Sequence, residues 1–273
     1  MITSRDNVRV KRWAKLVQDP GARREEGKAI VEGPHLVAEA LRAGIEPLAL
    51  MVSESGMARA EVRQLLGNRT PVILGDRVFK ALADAATPQG IAAEIAIPKS
   101  EGKGDCVFLE GVQDPSNVGA IVRTAAAFGI GEVVLDRACA DPWAPRTLRA
   151  GMGGHFKLAL RQVPDLGQAL QDFQGTLLCT VLAGGTPLPE AELDGRLGWI
   201  FGAEGRGISE DIARRAAQRV KIPMKAGTES LNVAAAAAIC LYEAFRTQSG
   251  SDPDFETPRS LSSRPPYQGV KGS

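Results

Sequence analysis

Cysteine, histidine and tyrosine are scarce in this 273-residue chain, and the shortages exclude several classes of chemistry. The four cysteines, Cys106, Cys139, Cys179 and Cys240, stand singly with no CxxC pair, so neither a zinc ribbon nor a disulfide frame is expected. His35 and His155 are isolated, and there is no HExxH and no Asp-rich cluster, so no metal is expected. No Ser-His-Asp or Cys-His pairing is visible. No apolar run approaches the ~20 residues that a bilayer span needs, so no membrane is expected as a partner. The opening MITSRDNVRVKRWAK lacks the apolar stretch of a secretory signal, which makes the cytoplasm the expected location. Net charge is only +1, which argues against a protein that simply coats nucleic acid.

The charge that is present is unevenly placed. Residues 1–28 carry eight cations against four acids. Among the eight, Arg5, Arg9, Lys11, Arg23 and Arg24 are candidates for phosphate contact, the alternative being a solvated helix face.

Composition and periodicity divide the chain into four parts. Residues 1–97 alternate short helices and strands, and residues 98–105 (PKSEGKGD) have the Pro/Gly/Lys character of a linker. Residues 106–247 alternate stronger strands, such as CVFLEGV, EVVLD, FKLAL and GWIFGA, with helical stretches such as NVGAIVRTAAAFG and SEDIARRAAQ. That order predicts an α/β domain with a parallel sheet and helices on both faces. The Ser/Pro-rich residues 248–273 have little to bury and are expected to be disordered.

Three polar clusters fall at carboxyl ends of strands in the third part, where open α/β sheets bind ligands. In the first, Asn117 is either an N-cap or a functional amide, and Arg123 projects from an otherwise apolar helix. Burying that cation would require a partner. In the second, Glu204 lies inside Gly202-Ala203-Glu204-Gly205-Arg206-Gly207, which is neither a dinucleotide fingerprint nor a Walker loop. In the third, Ser230 and Asn232 open a helix that contains five consecutive alanines and looks apolar all round; one cap needs only one of them. His155 could serve as a base or be structural.

Taken together, NVGAIVRTAAAFG, FGAEGRGIS and IPMKAGTESLNVAAAAAICLYEA resemble the three motifs of the SpoU/TrmH family of RNA 2′-O-methyltransferases, in the SPOUT superfamily. Residues 1–97, through RREEGKAIVEGPHLVAEALRAG and ATPQGIAAEI, resemble that family's ribosomal-protein-like substrate-binding domain. The segment RTLRAGMGGHFKL departs from the family pattern, which often has serine or alanine before the glycine. The resemblance implies a deep C-terminal trefoil knot, S-adenosylmethionine (SAM) as cofactor, a homodimer, and methylation of a ribose 2′-hydroxyl in RNA. It places Asn117, Arg123, Glu204, Ser230 and Asn232 in the catalytic set, and Gly202, Ile222 and Leu231 against SAM. Ribosomal RNA is the favoured substrate. A tRNA substrate, or a catalytically silent RNA-binding assembly factor, is the alternative.

Overall fold

The computed structural model describes residues 1–225, 227 and 229–249. The first part of the chain folds as α1 (Val8–Gln18), α2 (Pro20–Glu26), β1 (Lys28–Glu32), α3 (Pro34–Arg42), β2 (Ala49–Ser53), α4 (Glu54–Met57), α5 (Ala60–Leu66), β3 (Val72–Leu74), α6 (Asp76–Leu82) and β4 (Ile91–Ala96). Its sheet has the order β1-β4-β2-β3, antiparallel except for the β2–β3 pair. Helix α1 starts where the Asn7 side chain accepts from the Arg9 amide, and it buries Val10, Trp13 and Leu16 at three-residue spacing. Strand β4 carries one buried acid, Glu94. Burial would push its carboxyl up, but bonds from Arg12 and from Trp13 Nε1 (2.7 Å), with Lys28 nearby, hold it below the ordinary carboxylate range.

The second part runs β5 (Cys106–Glu110), α7 (Pro115–Ala127), β6 (Glu132–Asp136), α8 (Pro145–Gly151), β7 (Ala159–Val163), α9 (Leu166–Asp172), β8 (Thr176–Thr180), β9 (Thr186–Pro187), β10 (Leu197–Gly202), α10 (Glu210–Ala213), β11 (Gln218–Lys221) and α11 (Val233–Ser249). Its sheet is parallel throughout, in the order β7-β6-β5-β10-β8-β11-β9. The central strand β10 is buried along its whole length, as a hydrophobic strand covered on both faces should be. The chain inserts β10 between β5 and β8, steps outward to β11, and returns to lay α11 against α7 and β10.

Three local expectations change. FKLAL does not begin a strand, because Gly154–Phe156 forms a 3-10 turn and β7 starts at Ala159. SEDIARRAAQ keeps only four helical residues, since the chain must reach β11 at Gln218. Helix α11 is not buried on all sides. Val233, Ala237, Cys240, Leu241 and Ala244 face the core, while Ala235, Ile239 (40 % exposed), Tyr242 (52 %) and Arg246 form an outward stripe. Beyond Ser249, the tail expected to be disordered lies outside the described residues.

Candidate active site

Helix α7 presents the first polar cluster. Asp114, not Asn117, is its N-cap, accepting from the Ser116 amide at 2.8 Å. Asn117 therefore sits inside the first turn, buried, with its amide free for another task. Close packing holds this turn in place. A Cβ on Gly119 would lie 2.5 Å from the Thr147 carbonyl and from the Ala150 Cβ, so α8 presses directly on the α7 backbone.

The loop after β10 presents the second cluster. Gly207 N donates to Ala203 O at 2.8 Å, folding residues 203–207 back on themselves. Gly202 must lack a side chain, since a Cβ there would come within 2.3 Å of the Gly207 carbonyl carbon. Ser209 donates to Glu110 through both its amide (2.8 Å) and its hydroxyl (2.6 Å), pinning the far end of the loop to the end of β5.

The loop thereby aims Glu204 at two amides. Asn117 Nδ2 donates to Glu204 Oε1 at 2.5 Å, Asn232 Nδ2 donates to the same oxygen at 2.8 Å, and Asn232 Nδ2 also reaches Asn117 Oδ1 at 3.0 Å. Asn232 also caps α11, its Oδ1 accepting from the amides of Ala234 (2.9 Å) and Ala235 (3.3 Å). One residue from each of the three clusters thus meets in a single hydrogen-bonded triangle, although the three are widely separated along the chain.

Beside the triangle lies a cleft walled by Ile208, Ile222, Leu231, Val233 and Ala236, with Gly202, Glu204 and Ser230 also lining it. Gly202, Ile222 and Leu231, expected against SAM, thus share one wall with the catalytic candidates Glu204 and Ser230. Thr180, Val181 and Leu182 complete the cleft and were missed in the sequence. Their signal was their place at the carboxyl end of strand TLLCT, where a parallel sheet offers its ligand site.

Two cations do not behave as expected. Arg123 is exposed on α7 and has no ionic or hydrogen-bonding partner among the described residues. The premise that it must be buried and paired is corrected, because the helix face on which it stands is open. Arg23, grouped in the sequence with RNA-facing cations, is buried and paired with Asp141. Arg5, Arg9, Lys11 and Arg24 are exposed. Arg5 donates weakly to the Arg77 carbonyl (3.4 Å), Arg9 lies 4.9 Å from the Trp13 ring centroid and Lys11 pairs with Asp6 at 2.8 Å.

His155 lies away from the triangle. Its Nε2 is 2.8 Å from the Pro142 carbonyl oxygen, and its ring occupies the space that a Gly151 side chain would need. Burial pulls its pKa down to about 4, against a smaller upward pull from the Pro142 carbonyl. It is a packing residue of the RTLRAGMGGHFKL segment. No helix among the described residues is long and apolar enough to cross a membrane.

The cleft residues fit SAM. The walls are apolar enough for an adenosine, and a carboxylate at the rim suits a cationic sulfonium. A parallel α/β sheet with this polar triangle and an apolar cleft at its carboxyl edge, joined to a small mixed-sheet domain, defines a methyltransferase of the SPOUT class.

Comparison with known proteins makes the assignment specific. The SpoU rRNA Methylase family matches residues 105–242, and the MRM3-like substrate binding domain matches residues 7–93. The chain belongs to the SpoU rRNA methylase family, and it is a SAM-dependent RNA 2′-O-methyltransferase. An uncharacterized tRNA/rRNA methyltransferase of Synechocystis is 33% identical, over 90% of this chain and 94% of its own. The 23S rRNA (guanosine(2553)-2′-O)-methyltransferase RlmP of Bacillus subtilis is 32% identical, over 88% of this chain and 97% of its own. The AdoMet-bound rRNA methyltransferase from Sinorhizobium meliloti superposes with a TM-score of 0.75 at 27% identity, covering 90% of this chain and 97% of that one.

Proposed function

We propose that this chain methylates a ribose 2′-hydroxyl of ribosomal RNA in the cytoplasm, as a homodimer, with residues 1–97 holding the RNA and residues 106–247 carrying the reaction. The observation that carries the reading is the Asn117–Glu204–Asn232 triangle at the rim of the apolar cleft. The likeness to the Bacillus subtilis rRNA enzyme over almost its whole length supports ribosomal RNA as the substrate.

SAM supplies an electrophilic methyl group whose leaving group is already good. The chain must then align a weakly nucleophilic hydroxyl with that methyl, and alignment alone is worth on the order of 7–11 kcal/mol of barrier. Asn117 and Glu204 orient the ribose edge, while Ser230 and Asn232 hold the loop that carries Leu231 against the cofactor. Gly202 and Ile222 supply backbone groups on the same wall. Arg123, exposed and unpaired, grips a phosphate or ribose oxygen of the RNA and stabilises charge developing on the attacking oxygen. It is not the base, since a guanidinium stays protonated.

The dimer reading rests on two packed helices. Ala127 is exposed on α7, and Ala235, Ile239 and Tyr242 are exposed on α11. Phe128 touches both Tyr242 and Phe245, so these stripes adjoin. Apolar area of this kind is ordinarily covered.

Nucleoside mass spectrometry of ribosomal RNA from cells with and without this chain tests the reading. Loss of one 2′-O-methyl nucleoside, mapped to one rRNA position, is expected. A change confined to tRNA or to a base methylation would overturn it.

A further inference from the structure

We propose that Arg23 is a positioning residue that locks the N-terminal domain onto the catalytic domain, so that RNA held by the first meets the Asn117–Glu204–Asn232 triangle at a set place. The inference rests on the reading of residues 1–97 as the RNA-holding domain.

Arg23 is 3 % exposed and divides its donors between the two halves of the molecule. Its Nη1 donates to the carbonyls of Leu16 (2.6 Å) and Val17 (2.9 Å), near the C-terminal end of α1, where a cation is favoured. Its Nε donates to Asp141 Oδ2 at 2.7 Å, across the domain boundary. Asp141, with its side chain 13 % exposed, is itself fastened: its Oδ1 accepts from the Trp143 amide (2.9 Å), and its carbonyl accepts from the Thr147 hydroxyl (2.9 Å).

The surroundings are apolar. Trp143 and Leu148 belong to the same core cluster as Leu36, Val37, Val52 and Ile91 of the first domain. Arg149 Nη2 to Asp84 Oδ2, at 2.6 Å, adds a second crossing ion pair. Domain contacts within a chain are ordinarily polar and allow motion. This one is built like a core, with a buried charge pair beside it. Breaking either member strands a buried charge.

The path from the lock to the site is short. Asp141 leads into α8, and α8 presses on the α7 backbone at Gly119, two residues from Asn117. Helix α2 serves both ends, because Arg23 turns inward to the lock while its neighbour Arg24 faces solvent. Without the lock, the connection over residues 97–105 would let the domains drift, and small misplacement of a reacting group is costly.

The test uses the full-length protein as wild type, R23M, D141N and R23M/D141N, with SAM affinity, rRNA affinity, single-turnover methylation and X-ray scattering measured on each. R23M and D141N each leave one buried charge alone. Both are expected to keep SAM and RNA affinity, to become more extended, and to lose about 100-fold in rate. R23M/D141N removes both members of the lock and keeps the acceptor for the Trp143 amide, so it should be as extended and as slow as either single variant, with no further loss, because the two residues act as one unit. If R23M fails to fold, D141N carries the same test.

Full activity in both single variants, a double variant whose loss is the product of the two single losses, or a double variant restored to full rate without the pair, would overturn the proposal. Weaker RNA binding by R23M at an unchanged rate would do so as well, by making Arg23 an RNA contact. The underlying reading of the domain fails separately, if charge reversal at Arg5, Arg9 and Arg24 leaves RNA affinity intact.

Discussion

Glu204 Oε1 accepts from both Asn117 and Asn232, so the triangle is held by one carboxylate oxygen. In the sequence Asn117 is either a helix cap or a functional amide and Glu204 a carboxylate inside a glycine-rich loop, but their contact is not legible there, because it joins residues 87 positions apart. Arg123 was legible as an oddity for the wrong reason, since its helix leaves that face open. As it supports no packing, Arg123→Ala should leave the melting temperature unchanged while the methylation rate falls by roughly 10²–10³-fold. Loss of fold would make Arg123 a structural residue, and an intact rate would return it to the solvated surface. His155 makes a prediction of a different kind. The unfolded chain takes up its proton near pH 6.5 and the folded chain only near 4. Its contribution is therefore whole above pH 6.5 and drains as the pH falls to 4, by about 3 kcal/mol. His155→Gln should flatten that part of the stability profile in denaturant titrations, and an unchanged slope would assign the acid sensitivity elsewhere.

Elements were easier to read than contacts. The strands of the catalytic domain are continuous apolar runs, because both faces of the sheet are covered, and they emerged with nearly correct bounds. The exceptions are local. Met152 (φ 48°) and Gly153 (φ 88°) turn left-handed and delay β7 to Ala159, which residue-type preference could not foretell. Helix α11 was read as buried on every side because alanine fits either a core or a surface. Only the packing reveals the Ala235–Ile239–Tyr242 stripe. If that stripe is the dimer face, Ile239→Asp should give a monomer in sedimentation while the chain stays folded. A dimer that survives the substitution would move the interface to another surface.

At the scale of the whole molecule, the docking of the two domains could not be read from sequence at all. Trp143 and Leu148 look like ordinary core residues of the second domain, yet they share a cluster with the first, and Arg23 cannot be told from Arg24 by composition. Removing residues 1–97 would bare that cluster and strand Asp141, so charge reversal at Arg5, Arg9 and Arg24 is the cleaner probe of RNA binding. It should weaken rRNA affinity and reduce the salt slope by about 0.7–0.9 for each phosphate that is no longer neutralised. Affinity and slope that do not move would place the RNA on another face. The most direct measurement is methyl transfer from SAM to unmodified ribosomal RNA by the purified wild type and by Glu204→Ala, with the product read by nucleoside mass spectrometry and SAM affinity measured in parallel. A single 2′-O-methyl nucleoside from the wild type, absent with Glu204→Ala although that variant stays folded, is the predicted result. A base-methylated product, or a Glu204→Ala protein of full activity, would contradict it.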